Sequence, residues 1–206
     1  MIRFHKIPRL FRNWYSQITW SIPSEQSIYL TFDDGPDPNV TDWVLNALKE
    51  YNAKATFFCT GRRVAKHPKM VERIIADGHG IGNHSYNHLN GWKTKNSAYI
   101  EDVQKGDLAL KQVGVETRLF RPPYGKVKSK QMELLKDRKL VNWSLAAYDF
   151  DSKVNVDKVM SIFRKAKAGD ILLFHDSEKA FKNLKFMLPN LLSFYQAKGY
   201  KFEVIP

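Results

Sequence analysis

Apolar runs of strand length alternate with stretches of helical period from Ser27 to the end of the chain, and this alternation limits the fold more than any other feature. Residues 27–32, 55–59, 119–121, 140–145, 170–174 and 202–205 read as strands, with a shorter one around Ile81. Between them Val44, Ala47, Leu48 and Tyr51 recur at helical spacing. So do Val71, Ile74 and Ile75, then Val156, Val159, Met160 and Phe163, and last Leu184, Leu188, Leu191, Leu192 and Tyr195. A less cleanly patterned helix is expected over 97–113, stopped by Gly114, and Pro68 opens another that ends near Gly78. Six or seven such alternations without a long linker specify an α/β fold, a parallel sheet with crossover helices. Periodicity leaves open whether that sheet is flat or closed into a barrel. The chain divides into a basic N-terminal arm, 1–26, and one catalytic-sized domain, 27–206, with no internal repeat.

Composition narrows the classes. The 206 residues are enough for a core without disulfides. No run approaches the ~18 apolar residues of a membrane span. The first twenty residues lack the unbroken apolar segment and small-residue cleavage site of a secretory signal, so a cytoplasmic location is expected. Cys59 is the only cysteine, which excludes an internal disulfide and a multi-cysteine zinc cluster; within ATFFCT it reads as a small buried hydrophobe. Lys and Arg total 33 against 21 Asp and Glu, a net charge of +12. That balance suits an anionic partner or simply keeps the protein in solution. No RNP, zinc-finger or helix-turn-helix pattern points to nucleic acid. Before Glu25 no acidic residue occurs, while Arg3, Lys6, Arg9 and Arg12 interleave with Phe4, Ile7, Leu10, Phe11, Trp14 and Tyr15. The arm therefore either lies on an anionic membrane surface, at the inner face, or packs on its own domain.

Four clusters carry chemistry. IYLTF runs into Asp33-Asp34-Gly35-Pro36, and two adjacent carboxylates at a buried strand end repel unless a cation holds them. In an extended backbone the two side chains diverge and serve different tasks; a plain polar turn selects the same residues. His84 and His88, at i and i+4, meet on one face of a helical turn and are spaced to grip one metal ion, with Asp34 a candidate third ligand. In Arg121-Pro122-Pro123-Tyr124-Gly125 the prolines remove two donors and single out the Tyr124 N–H. Last, an apolar strand ends in His175-Asp176. Parallel sheets place ligands at the carboxyl ends of strands, where Asp33, Asp34, Arg121 and His175 all fall. His5, His67 and His79 read as structural or solvent-facing. The five tryptophans read as packing, with Trp92 the exception most suited to a sugar ring because it follows the histidine motif.

In this order TFDDGP, HSYNH, RPPYG, a WS…DF segment and LLFH resemble the five motifs of the polysaccharide deacetylases, the NodB-homology domain or carbohydrate esterase family four. The likeness runs from about Ile28 to the C-terminus. It implies a distorted (β/α) barrel of about seven parallel strands and a divalent metal, usually Zn2+ (or Co2+ or Ni2+), held by Asp34, His84 and His88. It further implies Asp33 as catalytic base oriented by Arg121, the Tyr124 N–H facing the oxyanion, and His175 as general acid above Leu173, kept protonated by Asp149. Ala146 and Phe150 stand where the family often has an acidic residue and a tryptophan, so Asp151 competes with Asp149. The implied activity is removal of N-acetyl groups from amino sugars of an envelope polysaccharide or lipid-linked sugar, by a monomer. O-acetyl xylan esterase or cyclic-amide hydrolase activity is the alternative on the same fold, and a silent binder of anionic glycans the alternative outside it.

Overall fold

The computed structural model describes residues 5–8, 12 and 15–206. Of the arm residues named above, Arg3, Phe4, Arg9, Leu10, Phe11 and Trp14 lie outside the described residues. Eight parallel strands follow in chain order: β1 (Ser27–Asp33), β2 (Ala55–Cys59), β3 (Gly80–Asn83), β4 (Leu119–Phe120), β5 (Lys139–Leu140), β6 (Leu145–Ala146), β7 (Ile171–His175) and β8 (Lys201–Phe202). Seven of them line up as β5-β4-β3-β2-β1-β7-β6, and β8 pairs with the start of β1. The crossovers hold helices α1 (Pro38–Glu50), α2 (Gly61–Lys66), α3 (Pro68–Ala76), α4 (Asn96–Gln112), α5 (Ser129–Leu134), α6 (Val156–Phe163) and α7 (Glu178–Gln196).

The sheet curls into a half-barrel, and one short connection explains why. β5 and β6 sit at opposite edges of the seven-strand order, yet only residues 141–144 join them. Five residue steps reach at most ~18 Å, whereas seven strands laid flat would separate their edges by ~29 Å. The edges must therefore approach each other. The arm fills the seam between them. Thr19 pairs with Val141, its N–H donating to the Leu140 carbonyl (2.8 Å) and its carbonyl accepting from Asn142 N–H (2.9 Å), while Lys6 pairs with Leu145. Ile18, Trp20 and Ile22 are buried there.

This seam corrects the reading of 140–145 as one strand. The stretch is two strands of two residues each, because the carbonyls of Val141 and Asn142 turn away from a ladder to accept from the Arg121 side chain. The last strand also stops at Phe202 rather than Ile205, and α2 and α5, only six residues each, went unread for want of a full helical period. The remaining elements lie where periodicity puts them. Asp37 caps α1, its carboxylate accepting from the N–H groups of Asn39 and Val40.

Side-chain alternation sorts β1 between two environments. Ile28, Leu30 and Phe32 face the helices and join the main core, with Phe57 and Phe174 stacked on Phe32. Tyr29, Thr31 and Asp33 face the barrel interior. β7 does the same, sending Leu172 and Phe174 to the helices and Ile171 inward. Phase alone thus carries Asp33 and its register partner His175 to the mouth of the barrel.

Candidate active site

Arg121 is fully buried, and its guanidinium has a partner for every nitrogen. Nη1 donates to Asp33 Oδ1 (2.7 Å) and Thr31 Oγ1 (2.8 Å), Nε to the Val141 carbonyl (3.2 Å) and Nη2 to the Asn142 carbonyl (3.1 Å). The ring of Phe58 lies 4.1 Å from its central carbon. Burial lowers the guanidinium pKa and the Asp33 charge opposes that. A charge this deep is tolerable only with such a partner set. Here is the cation that the adjacent carboxylates require.

The two carboxylates do not diverge as extended backbone predicts. Asp34 has φ +77°, so the chain turns left-handed just past the strand. Both acids therefore meet the same imidazole: His84 Nε2 is 3.6 Å from Asp33 Oδ2 and 3.7 Å from Asp34 Oδ1. His88 Nε2 is 3.3 Å from that same Asp34 oxygen. One ligand atom from each of Asp34, His84 and His88 lies within 4.8 Å of the others.

The histidines also reach each other by a different route from the one their spacing suggests. HSYNH is a loop, not a helical turn, with Ser85 and His88 both at φ +61°. Its shape is imposed from α4 and β3. Buried Asp102 accepts from the backbone N–H groups of Tyr86 and Asn87 and from the Asn87 amide, and Asn83 Oδ1 accepts from Ser85 N–H (2.6 Å). Gly106 must be small, since a Cβ there would come within 2.6 Å of that Asn83 oxygen. Asp102 escaped the sequence reading because a single acid in a weakly patterned helix carries no signal of its own.

Each buried imidazole is fixed by its Nδ1. His84 Nδ1 sits 2.8 Å from the Arg121 carbonyl, a bond that requires the proton on Nδ1 and leaves Nε2 a free lone pair toward Asp34. Burial disfavours its charged form, the neighbouring His88 adds to that, and the ring is held down to about 3 against the opposing pull of Asp34. The ring is neutral at any ordinary pH, as a metal-binding imidazole must be. Two imidazole nitrogens and a carboxylate oxygen within one ion's reach, with positions left for water, are the donor set of a catalytic divalent centre, so these residues fit such an ion.

His175 is the opposite case. Its Nδ1 is 2.7 Å from Asp149 Oδ1, and its backbone N–H donates to Asp149 Oδ2 (2.8 Å). Burial alone would lower its pKa, yet the Asp149 charge and hydrogen bond, backed by Asp34 and Asp33, raise it to about 9. Asn183 from α7 donates to the Asp149 carbonyl (2.7 Å), a support with no mark in the sequence. The competing Asp151 instead accepts from Lys153 N–H. Phe150, where the family often has tryptophan, lies edge-on to His175 at 4.8 Å.

The rim carries Tyr124, at φ +61°, with its ring 4.5 Å from His88. Below the Asp33–Asp34 turn lies Asp176, fully buried, with Oδ2 accepting from Thr41 (2.5 Å). A Cβ on Gly35 would overlap its carboxyl group. Burial, with Asp34 and Asp33 behind it, raises Asp176 to about 8, so it stands neutral at pH 7. His79 is buried and accepts from Ala55 N–H (3.2 Å), and Cys59 is buried, as read.

Carboxylates, imidazoles and a buried guanidinium gathered at the mouth of a curled parallel half-barrel define a hydrolytic α/β barrel domain. The chain belongs to the polysaccharide deacetylase family: the family model of that description matches residues 21–143. It is 34% identical over 193 residues to a peptidoglycan-N-acetylglucosamine deacetylase of Bacillus cereus, covering 91% of each chain. It is 36% identical over 160 residues to the peptidoglycan-N-acetylmuramic acid deacetylase PdaC of Bacillus subtilis, covering 75% of this chain and 33% of that one. Among solved structures, a peptidoglycan N-acetylglucosamine deacetylase in complex with a naphthalenyl N-oxidanyl-benzamide superposes with a TM-score of 0.86 at 30% identity, over 94% of both chains.

Proposed function

We propose that this chain removes N-acetyl groups from the amino sugars of an envelope polysaccharide or glycolipid, with zinc as its metal. The observation that carries the reading is the convergence of Asp34, His84 and His88 beside two anchored acid–base groups, Asp33 on Arg121 and His175 on Asp149. The relatives just named act on N-acetylated sugars of peptidoglycan, by their descriptions.

Asp34, His84 and His88 would hold the metal, which when bound polarises the acetyl carbonyl and acidifies water. Asp33, anchored by Arg121, takes the proton of the attacking water as its oxygen bonds to the carbonyl carbon. Arg121 fixes Asp33 in place, since it is itself held by two carbonyls. The Tyr124 N–H is the donor for the oxygen that gains charge, and one such donor is worth ~10²–10³ in rate. His175, charged below about pH 9, gives its proton to the departing nitrogen as the C–N bond breaks. Acetate and a free amino sugar result. Asp149 holds the imidazolium in place.

Acetate release from N-acetylglucosamine oligomers, in the presence of zinc, tests the reading. We expect turnover that chelation abolishes and zinc or cobalt restores; full activity in metal-free protein would reject it. A second reading, an O-acetyl esterase, has one observation behind it: the chain superposes on the Xyl-CE4 domain of a multidomain xylanase with a TM-score of 0.80 at 29% identity. A higher kcat/KM on acetylated xylan than on the amino-sugar oligomers would favour that alternative.

A further inference from the structure

The arm also reaches the loop that carries Asp149, through His5. β6 ends the seven-strand order, and residues 5–7 lie along its outer edge. Ile7 N–H donates to the Ser144 carbonyl (3.1 Å), Ala146 N–H donates to the His5 carbonyl (2.9 Å), and Lys6 pairs antiparallel with Leu145. The His5 ring closes on the same strand, its Nδ1 donating to the Ala146 carbonyl (3.0 Å). Ala146 is thus bonded to His5 at both its N–H and its carbonyl, and this fixes the ring over the residues that follow β6.

Those residues include Tyr148 at φ +52°, in the left-handed region that a tyrosine keeps only where its surroundings hold it. The His5 ring meets the Tyr148 ring edge-on, with centres 5.1 Å apart and planes at 90°. Tyr148 in turn lies 6.2 Å from Phe150, the ring that stands against His175. The turn keeps Tyr148 and Phe150 toward the surface and sends Asp149 between them to full burial. There Asp149 uses both carboxylate oxygens on His175. Asn183 steadies this loop from α7, through the Asp149 and Asp151 carbonyls, and His5 steadies it from the arm.

We propose that His5 is a positioning residue for the reaction: by holding Tyr148 in its left-handed turn it keeps Asp149 seated on His175. His5 touches neither the metal ligands nor the departing nitrogen and acts only through Tyr148. The inference rests on the deacetylase reading for the role of His175, and adds that the general acid is set partly by a residue more than 140 positions away in the chain.

Two readouts on the zinc-loaded protein separate these claims: NMR titration of the His175 ring, and acetate release. His175 titrates under Asp149, with Asp34 and Asp33 behind it, and none of these is altered by a change at His5. In His5→Ala the His175 midpoint should move down from about 9. Its kcat should fall about ten-fold, the scale of one lost hydrogen bond, with KM unchanged. Tyr148→Gly supplies the second background. Glycine takes a positive φ with no ring to hold, so adding His5→Ala to it should change kcat by less than about two-fold, the margin of independent sites. An equal loss in both backgrounds, or a His175 midpoint unmoved in His5→Ala, would overturn the positioning role. A midpoint that shifts as expected, in protein whose wild type releases no acetate, rejects the deacetylase reading and leaves His5 holding the pair.

Discussion

His84 and His175 are both buried imidazoles at the mouth of one barrel, and they are held in opposite charge states. His84 is pinned by a neutral carbonyl and stays uncharged down to about pH 3. His175 is pinned by a carboxylate and stays charged up to about pH 9. Burial pushes both rings the same way, so the group on Nδ1 decides the outcome. The difference yields one ring fit to hold a cation and another fit to supply a proton, from the same residue type.

The sharpest way to break this contrast is to delete each ring and read two quantities together. His84→Ala should lose both bound metal and activity, with acetate release down by more than about a thousand-fold. His175→Gln should keep its metal, measured by elemental analysis, while kcat falls ~10²–10⁴-fold. Metal loss in the second variant, or retention in the first, would reverse the assignments. Asp33→Asn belongs beside them. Turnover should vanish with the metal still bound, and the unfolding free energy should drop by about 3–5 kcal/mol because Arg121 is left buried and uncompensated. A near-wild-type rate in that variant would remove Asp33 from the base role.

A gentler change should sharpen the comparison. In Asp149→Asn the carboxylate that does most to raise His175 is gone, leaving burial opposed only by Asp34 and Asp33, so the pKa falls from about 9. The alkaline limb of the kcat profile should then move down from near pH 9. Stability shifts with it. The wild-type folded pKa lies above the unfolded one, so the charged pair contributes fully below pH 6.5 and that contribution is lost as pH rises through 9. Thermal melts across this range should lose their slope in the variant. An unmoved alkaline limb would mean that some other group titrates there. Smallest of all, Asn183→Ala frees the Asp149 carbonyl, with the longer bond to the Asp151 carbonyl (3.3 Å) lost beside it. A drop in kcat of less than about ten-fold is expected, near the cost of one neutral hydrogen bond.

Much of this was legible in the sequence, for identifiable reasons. Strand phase carries Asp33 inward, and strand ends collect Arg121 and His175, so period-two reasoning located the mouth of the barrel. What escaped it depends on backbone turns and distant partners. The left-handed Asp34 brings together two carboxylates that extended geometry would part. The His84–His88 approach is made by Asp102 and Asn83 from other elements, which produce the same result as a helical turn by different means. Curling of the sheet was in principle readable from the four residues between β5 and β6, but reading 140–145 as a single strand hid the short span.

Thr19 has a practical bearing on any study of the N-terminal arm. The segment it clasps supplies the two carbonyls that seat Arg121, and Arg121 in turn seats Asp33. Cutting the first twenty residues away to ask about lipid attachment would therefore also slacken Asp33, and lost turnover would be mistaken for lost tethering. Exchanging Arg3, Lys6 and Arg9 for glutamine, with the clasp intact, separates anchoring from upkeep of the reaction centre.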